Sequence, residues 1–148
     1  MIKLRSVKLS VVNGIVMTKH KRLGPIAALA VSAAMIAAAS PRALAPAIGG
    51  LWAVSADATG QDAEQICVSS STALALWEHR AGRCTPEVIL DEGTVARIRY
   101  TCADGGFGDT KITLITPRTL RIDTQGISDG LPFHYQRHAR RIGDCTAR

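Results

Sequence analysis

Four cysteines limit the folds that this chain can adopt. Cys67, Cys84, Cys102 and Cys145 all follow residue 66 of a chain of 148 residues. Their spacing contains no C-x-x-C pair, which disfavours the competing interpretation of a metal site. An even number of cysteines in a small exported domain indicates disulfides, because such a domain buries only a modest apolar core. We therefore predict two disulfides in one domain.

The beginning of the chain has the three parts of a secretory signal. A basic stretch at residues 19–22 precedes an uncharged, alanine-rich run at residues 23–39, and Ala43-Leu44-Ala45 offers small residues for cleavage. The run falls short of the roughly 20 strongly apolar residues that an uncleaved membrane anchor needs. We predict a signal peptide over residues 1–45 and a single exported, disulfide-bonded domain over residues 46–148, periplasmic or secreted.

Two details of this leader stay open. Pro46 would directly follow a cut after Ala45, and proline at that place generally hinders cleavage, so a cut after Ala39 or Ala47 is an alternative. Met17 would begin a leader of more ordinary length and is an alternative start of the protein. No cysteine lies near these sites, which excludes the attachment of a lipid there.

The positive charge of the chain belongs to the leader. The full chain has 18 basic and 12 acidic residues. Residues 1–45 hold seven of the basic residues and no acidic one, which leaves 11 basic and 12 acidic residues, a net charge of −1, for the exported domain. A near-neutral domain has no general attraction for polyanions. We expect no nucleic acid as partner, and contact with a membrane only through the signal segment during export.

One hairpin can be aligned from its side chains alone. Alternate residues of a strand share a face, and two neighbouring runs each show one apolar face: Cys84, Pro86, Val88 and Leu90, then Ala96, Ile98, Tyr100 and Cys102. A loop of Glu92-Gly93-Thr94 pairs these residues in order, from Leu90–Ala96 to Cys84–Cys102. A slip of one residue would put Arg97 and Arg99 on the apolar face. This register predicts a Cys84–Cys102 disulfide and leaves Cys67 to pair with Cys145.

The other elements follow from similar patterns. We predict strands at Leu51–Ser55 and Phe133–Ile142, and a second hairpin in which Ile112 and Leu114 face Ile122 and Leu120 across a Thr116-Pro117-Arg118 loop. Residues 69–82 fit a helix, with serines to cap its start, an apolar face and Gly82 to end it. The predicted fold class is α+β and β-rich: an antiparallel meander of about six strands with one helix, after an N-terminal signal helix.

Few residues suggest a chemistry. His134 and His138 would lie on one face of the last strand, too far apart to share a metal. The cluster of Arg137, Arg140 and Arg141 is a candidate site for an anionic ligand such as a phosphate group, although such clusters are also common on solvated surfaces. The glycine-rich stretch 104–109 lacks a phosphate-loop or calcium-loop pattern and indicates a turn. We identify no catalytic residue, no metal ligand and no cofactor motif.

From Gly49 onward the sequence is similar to a known family. The similar features are Gly50-Leu51-Trp52, Ile66-Cys67-Val68, Cys84, Tyr100-Thr101-Cys102 and the ending R-R-I-G-D-C, Arg140 to Cys145. Together they resemble the domain of unknown function 3617, a family of small exported bacterial proteins. The resemblance covers essentially the whole exported domain. It implies a place in the Gram-negative cell envelope, and it implies no activity, cofactor or catalytic residue.

Three functions are compatible with these observations. We expect a non-enzymatic periplasmic domain that binds a small or anionic ligand or an envelope protein. The candidates to line a cavity are Trp52, Trp77, Tyr100, Phe107, Phe133 and Tyr135. The alternatives are an envelope hydrolase that uses carboxylates with His134 or His138, and a structural envelope component. A histidine hydrogen-bonded to a carboxylate inside a cleft would favour the hydrolase.

Overall fold

Seven antiparallel strands form most of the protein over residues 40–146, which the computed structural model describes. The strands are β1 (Ile48–Ser55), β2 (Glu64–Ser70), β3 (Cys84–Glu92), β4 (Val95–Cys102), β5 (Phe107–Thr116), β6 (Thr119–Ser128) and β7 (Leu131–Gly143). Their order in the sheet is β2-β1-β7-β6-β5-β4-β3. Strands β3 to β7 form a meander, and the β1–β2 hairpin extends it because β1 pairs with β7. Most of the predicted signal peptide, residues 1–39, lies outside the described residues.

One face of the curled sheet carries the hydrophobic core. Trp52, Ile98, Ile112 and Ile122 are fully buried there, and we call this side the inner face. Two short 3-10 helices, η1 (Arg42–Leu44) and η2 (Ser71–Leu76), add buried residues to the same core. The opposite side, which we call the outer face, carries the charged residues that alternate with the core residues along each strand.

The structure has one strand more than the six predicted, and this additional strand is β2. Residues 57–65 resemble a polar connection, yet β2 begins at Glu64 and pairs with β1, with Trp52 opposite Ile66 and Gly50 opposite Val68. As an edge strand β2 leaves most of its residues accessible to solvent, so its sequence carries only a weak apolar pattern. The prediction of six strands is therefore wrong, because pairing with β1 forms this strand more than its own residues do.

The predicted helix over residues 69–82 is also wrong in length and type. The structure has only the six-residue η2, and Ser70 caps it by accepting a hydrogen bond from the amide of Thr72 at 3.3 Å. Leu74 and Ala75 are buried. The carbonyl of Ala75, which would serve a longer α-helix, accepts a hydrogen bond from the Thr110 hydroxyl of β5 at 2.8 Å. Contact with the sheet therefore replaces the next helical turn.

The predicted register of the β3–β4 hairpin is confirmed over most of its length. Cys84 lies opposite Cys102, and the pairs Pro86–Tyr100 and Val88–Ile98 follow. Toward the turn the register differs, because a bulge between Val88 and Leu90 moves Leu90 opposite Arg97. An extra residue in one strand shifts the later pairings by one. The turn is therefore Gly93-Thr94 instead of the three-residue loop.

The second predicted hairpin has the expected register. Ile112 lies opposite Ile122 and Leu114 opposite Leu120. A bulge before Thr116 shortens this turn as well, to residues 117–118. The first and last strands are both longer than predicted, because the added residues at the start of β1 pair with β2 and those at the start of β7 pair with β6.

Both predicted disulfides are present in the structure. Cys84–Cys102 joins opposite residues of β3 and β4, with Cα atoms 3.9 Å apart. Cys67–Cys145 joins β2 to the residues after β7, with Cα atoms 5.6 Å apart. Because β1 lies between β2 and β7, this second disulfide spans β1. It ties the β1–β2 hairpin to the end of the meander across a sequence separation of 78 residues.

Candidate functional site

The predicted arginine cluster does not form a single site. Alternate residues of a strand face opposite sides of the sheet. Arg137 lies opposite Ile122 on the inner face, whereas Arg140 lies opposite Ala53 on the outer face. Arg141 is again on the inner side. The three guanidinium groups therefore do not converge on one ligand.

Each of these arginines has its own surroundings. The Nε atom of Arg141 donates to the carbonyl oxygen of Gly49 at 2.9 Å, and its guanidinium also pairs with Asp144. The guanidinium of Arg137 stacks on the ring of Tyr135 at 4.7 Å. Arg140 lines a pocket of about 210 Å³ between β7 and the β1–β2 connection. Arg141 thus has a structural role, holding β7 against the start of β1.

The two histidines of the last strand lie on the outer face with Gln136 between them, as predicted. His134 is opposite Gln125 and His138 is opposite Arg121. Over residues 40–146, no cluster of three or more histidine, cysteine, aspartate or glutamate residues could hold a metal ion. No hydrogen bond joins a histidine to a carboxylate in the same part of the chain.

A polar groove crosses the outer face over strands β4 to β7. Two adjoining hollows of about 490 and 280 Å³ form it, and they share Asp109, Gln125 and His134. Cross-strand pairing builds its floor, with Arg99 opposite Asp109, Asp109 opposite Gln125, and Gln125 opposite His134. Opposite residues of antiparallel strands share a face, so four strands each contribute one side chain. We call this hollow the outer groove. Its lining is completed by Arg97, Phe107, Lys111, Asp123, Thr124, Gly126, Pro132 and Phe133.

The charges of the outer groove leave it net positive. Asp109 is held by two arginines, with Arg97 Nε at 2.6 Å and Arg99 Nη2 at 3.2 Å. The hydrogen bond to Asp109, with its negative charge, raises the pKa of Arg97. Asp123 pairs with Arg121 at 3.2 Å, whereas Lys111 has no ion pair within residues 40–146. An arginine has five N–H donors, so both arginines at Asp109 retain donors for an anion.

One end of the outer groove is apolar. Phe107 is 45% exposed, although aromatic side chains of this size are mostly buried in folded domains. It lies opposite Ile127, which in turn lies opposite Pro132. The groove therefore offers guanidinium and ammonium groups beside an accessible aromatic ring. Of the six aromatic residues that the sequence predicts for a cavity, Phe107 and Phe133 line this groove, whereas Trp52, Trp77 and Tyr100 are core residues.

A buried histidine on the inner face was missed by the sequence analysis. His79 is 8% exposed, and its Nδ1 lies 3.1 Å from the hydroxyl of Tyr100. Its Nε2 is buried and has no hydrogen-bond partner over the described range. The predicted turn over residues 104–109 is confirmed only up to residue 106, because β5 begins at Phe107. A Cβ atom at Gly106 would lie 2.5 Å from this Nε2, so the connection needs a glycine there. Only the tertiary fold brings these segments together.

The tyrosines beside His79 remain protonated at neutral pH. Burial and the nearby charge of Glu78 raise the pKa of Tyr100 to about 12. Burial, followed by its hydrogen bond to Glu78, also raises the pKa of Tyr135; the hydroxyl donates to Glu78 Oε2 at 2.8 Å. Neither phenol can serve as a base there. The two hydroxyl groups therefore act as hydrogen-bonding groups that connect the segment after η2 to the sheet, Tyr100 through His79 and Tyr135 through Glu78.

Comparisons with known proteins do not suggest a function, so the proposal below depends on the groove. No protein-family model, no curated protein and no solved structure matches the chain. None of the helices described is long and apolar enough to cross a membrane.

Proposed function

We propose that this protein is an exported, non-enzymatic domain that binds an anionic ligand in the outer groove. The observation that carries the proposal is the set of cationic groups around Asp109. Arg97 and Arg99 together carry more positive charge than that carboxylate neutralises, and Lys111, which has no ion pair over residues 40–146, adds a further positive charge. The exposed ring of Phe107 would contact an apolar part of the same ligand.

The export part of the proposal is supported by the cysteines and by the leader. Two disulfides are compatible with an oxidising compartment, where such bonds form and persist. The proposal includes membership of the domain of unknown function 3617, based on the motifs from Gly50 to Cys145. On this proposal the protein works in the periplasm or outside the cell.

A binding role agrees better with the groove than hydrolysis does. His134 is the only histidine that lines the outer groove within the described chain, and it makes no hydrogen bond to a carboxylate. Both carboxylate oxygens of Asp109 already accept hydrogen bonds from Arg97 and Arg99, so this carboxylate is engaged by neighbouring side chains of the groove. The envelope hydrolase remains a separate hypothesis that would need another pair of residues.

The test is a titration of the processed protein with phenyl phosphate, followed by NMR of backbone amides. We expect shifts that saturate at Arg99, Phe107, Lys111, Gln125 and His134. Inorganic phosphate should bind at the same place but more weakly, because it lacks a group to contact Phe107. Saturating shifts at another surface, or none at all, would contradict the assigned groove.

A matched pair of variants distinguishes binding in the groove from attraction by the net charge of the protein. Arg99→Gln removes one of the guanidinium groups of the groove, whereas Arg83→Gln makes the same change at an exposed residue between η2 and β3. A lost hydrogen bond to a charged group costs about 1.5–3 kcal/mol, so Arg99→Gln should weaken binding roughly tenfold or more. Equal weakening by both variants would mean that phenyl phosphate follows net charge and does not occupy a site.

A further inference from the structure

Residues 41–47 are an integral part of the folded domain. Ala43, Leu44 and Ala47 are only 5%, 2% and 3% exposed and belong to the same core cluster as Trp52 and Ile98. Three backbone hydrogen bonds of 2.9–3.1 Å order this segment, from the amides of residues 44, 45 and 47 to the carbonyls of residues 41, 42 and 44. The small-residue motif Ala43-Leu44-Ala45 thus contributes η1 and part of the core.

Asp91, at the end of β3, binds the same segment. Its two carboxylate oxygens accept hydrogen bonds from the backbone amides of Arg42 at 2.9 Å and Ala43 at 2.8 Å. Both amides belong to the first turn of η1, where backbone donors have no partner within the helix. The side chain of Arg42 lies 3.6 Å from the same carboxylate. A chain cut after Ala45 would lose these contacts together with the buried side chain of Leu44.

We infer that the exported chain is processed between Ala39 and Ser40, so that the mature protein begins at Ser40 and keeps η1. This inference rests on the export part of the proposed function. Ala37-Ala38-Ala39 supplies small residues at both positions that a signal peptidase reads before a cut. The same cut avoids placing Pro46 directly after the broken bond. The peptide bond between residues 39 and 40 is hydrolysed by water, which leaves a carboxylate on Ala39 and a free amine on Ser40.

The first test is the intact mass and N-terminal sequence of the protein after expression of the full chain in a Gram-negative host. We expect periplasmic protein that begins at Ser40 and contains two disulfides. Periplasmic protein that begins at Pro46 or Ile48 would overturn the inferred cut and leave export standing. A full-length chain confined to the cytoplasm would overturn the cut and the export proposal together.

Two equivalent substitutions locate the cut independently. Ala39→Lys and Ala45→Lys each place a long charged side chain directly before one of the two candidate bonds. Ala45 is exposed in the folded domain, so a lysine there leaves the fold intact. We expect Ala39→Lys to accumulate as unprocessed precursor, and Ala45→Lys to be processed like the natural chain. The reverse pattern would overturn the inference.

A third measurement asks whether Leu44 belongs to the mature protein. Leu44→Ala empties a buried site, and such changes in a domain of this size lower Tm by roughly 10 °C or more. The variant is expressed as the full chain, and Tm is measured on the processed protein. A mature chain that starts at Pro46 contains no residue 44, so an unchanged Tm would overturn the inference. If Leu44→Ala yields no folded protein, the paired lysine variants still decide the question.

Discussion

At the scale of single residues, Gly108 decides how the inner face packs. It lies opposite Tyr100, and a Cβ atom at this position would stand 2.3 Å from the tyrosine ring and hydroxyl. The absence of a side chain lets the ring lie against β5. That placement brings the Tyr100 hydroxyl within reach of His79. Nothing in the sequence around Gly108 indicates this contact, since its partners are 8 and 29 residues away.

We expect Gly108→Ala to destabilise the domain by about 1–3 kcal/mol, the cost of forcing extra volume into a packed core. Chemical denaturation of the processed protein measures the change. Gly143→Ala is the matched control, because a Cβ atom at Gly143 meets nothing within 4 Å. The control should stay within about 1 kcal/mol of the natural protein. Equal losses in both variants would show that the tyrosine contact is not the cause.

At the scale of elements, the two disulfides constrain the chain differently. Cys84–Cys102 closes a separation of 18 residues within one hairpin, whereas Cys67–Cys145 closes 78 residues and joins the two hairpin systems. Closing a longer loop removes more conformational entropy from the unfolded chain. The disulfide that spans β1 should therefore contribute more to stability.

This difference predicts an order of stability. Replacing Cys67 and Cys145 by serine should cost about 4 kcal/mol, and replacing Cys84 and Cys102 about 3 kcal/mol. Urea unfolding of the two double variants, each with the other disulfide intact, measures both values. A larger loss from the Cys84–Cys102 pair would mean that local packing around the hairpin outweighs loop closure.

The elements also show which predictions a sequence supports. Hairpins were predicted well because the pairs Val88–Ile98 and Ile112–Ile122 align two apolar faces across a short connection. The bulges near both turns were missed, since they change backbone geometry without changing the apolar pattern. The helix over residues 69–82 failed for a different reason. Leu74 and Trp77 do face the core, but a carbonyl that would extend the helix accepts a hydrogen bond from Thr110 instead.

At the scale of the whole molecule, the proposed processing before Ser40 would change the net charge of the protein. Counted from Ser40, the chain contains 12 basic and 12 acidic residues, whereas the full chain carries a net charge of +6. The outer groove then holds a local excess of positive charge in a neutral protein. Such a distribution favours a compact anionic ligand over a long polyanion, whose binding depends on many cationic contacts.

We therefore expect the processed protein not to retard duplex DNA in electrophoretic mobility assays at physiological salt. The Ala39→Lys precursor, which keeps the basic residues 1–39, should bind DNA measurably more tightly under the same conditions. Salt titration provides the control, because binding by the leader must weaken as counterions compete. Retardation of DNA by the processed protein would contradict the assignment of charge to the leader.

The outer groove is a property of the whole sheet. Arg99, Asp109, Gln125 and His134 come from four different strands and are brought together by their registers. The sequence contained a partial signal, because Arg97 and Arg99 were excluded from the apolar face of their strand. Their partners could not be assigned, since the start of β5 and its pairing with β4 were not predicted. The arginine cluster of β7 looked more convincing in sequence but is divided between two faces.

The sequence by itself determined the features that depend on local pattern: the presence of two disulfides, the β-rich class, the registers at the centres of the hairpins, and the pairing Cys84–Cys102. Adjacent strands with alternating side chains leave few other alignments. The tertiary structure alone decided the joining of β1 to β7, the formation of β2, the burial of Leu44 and the site around Asp109. These features depend on contacts between distant segments, whose energies appear only when the sheet is assembled.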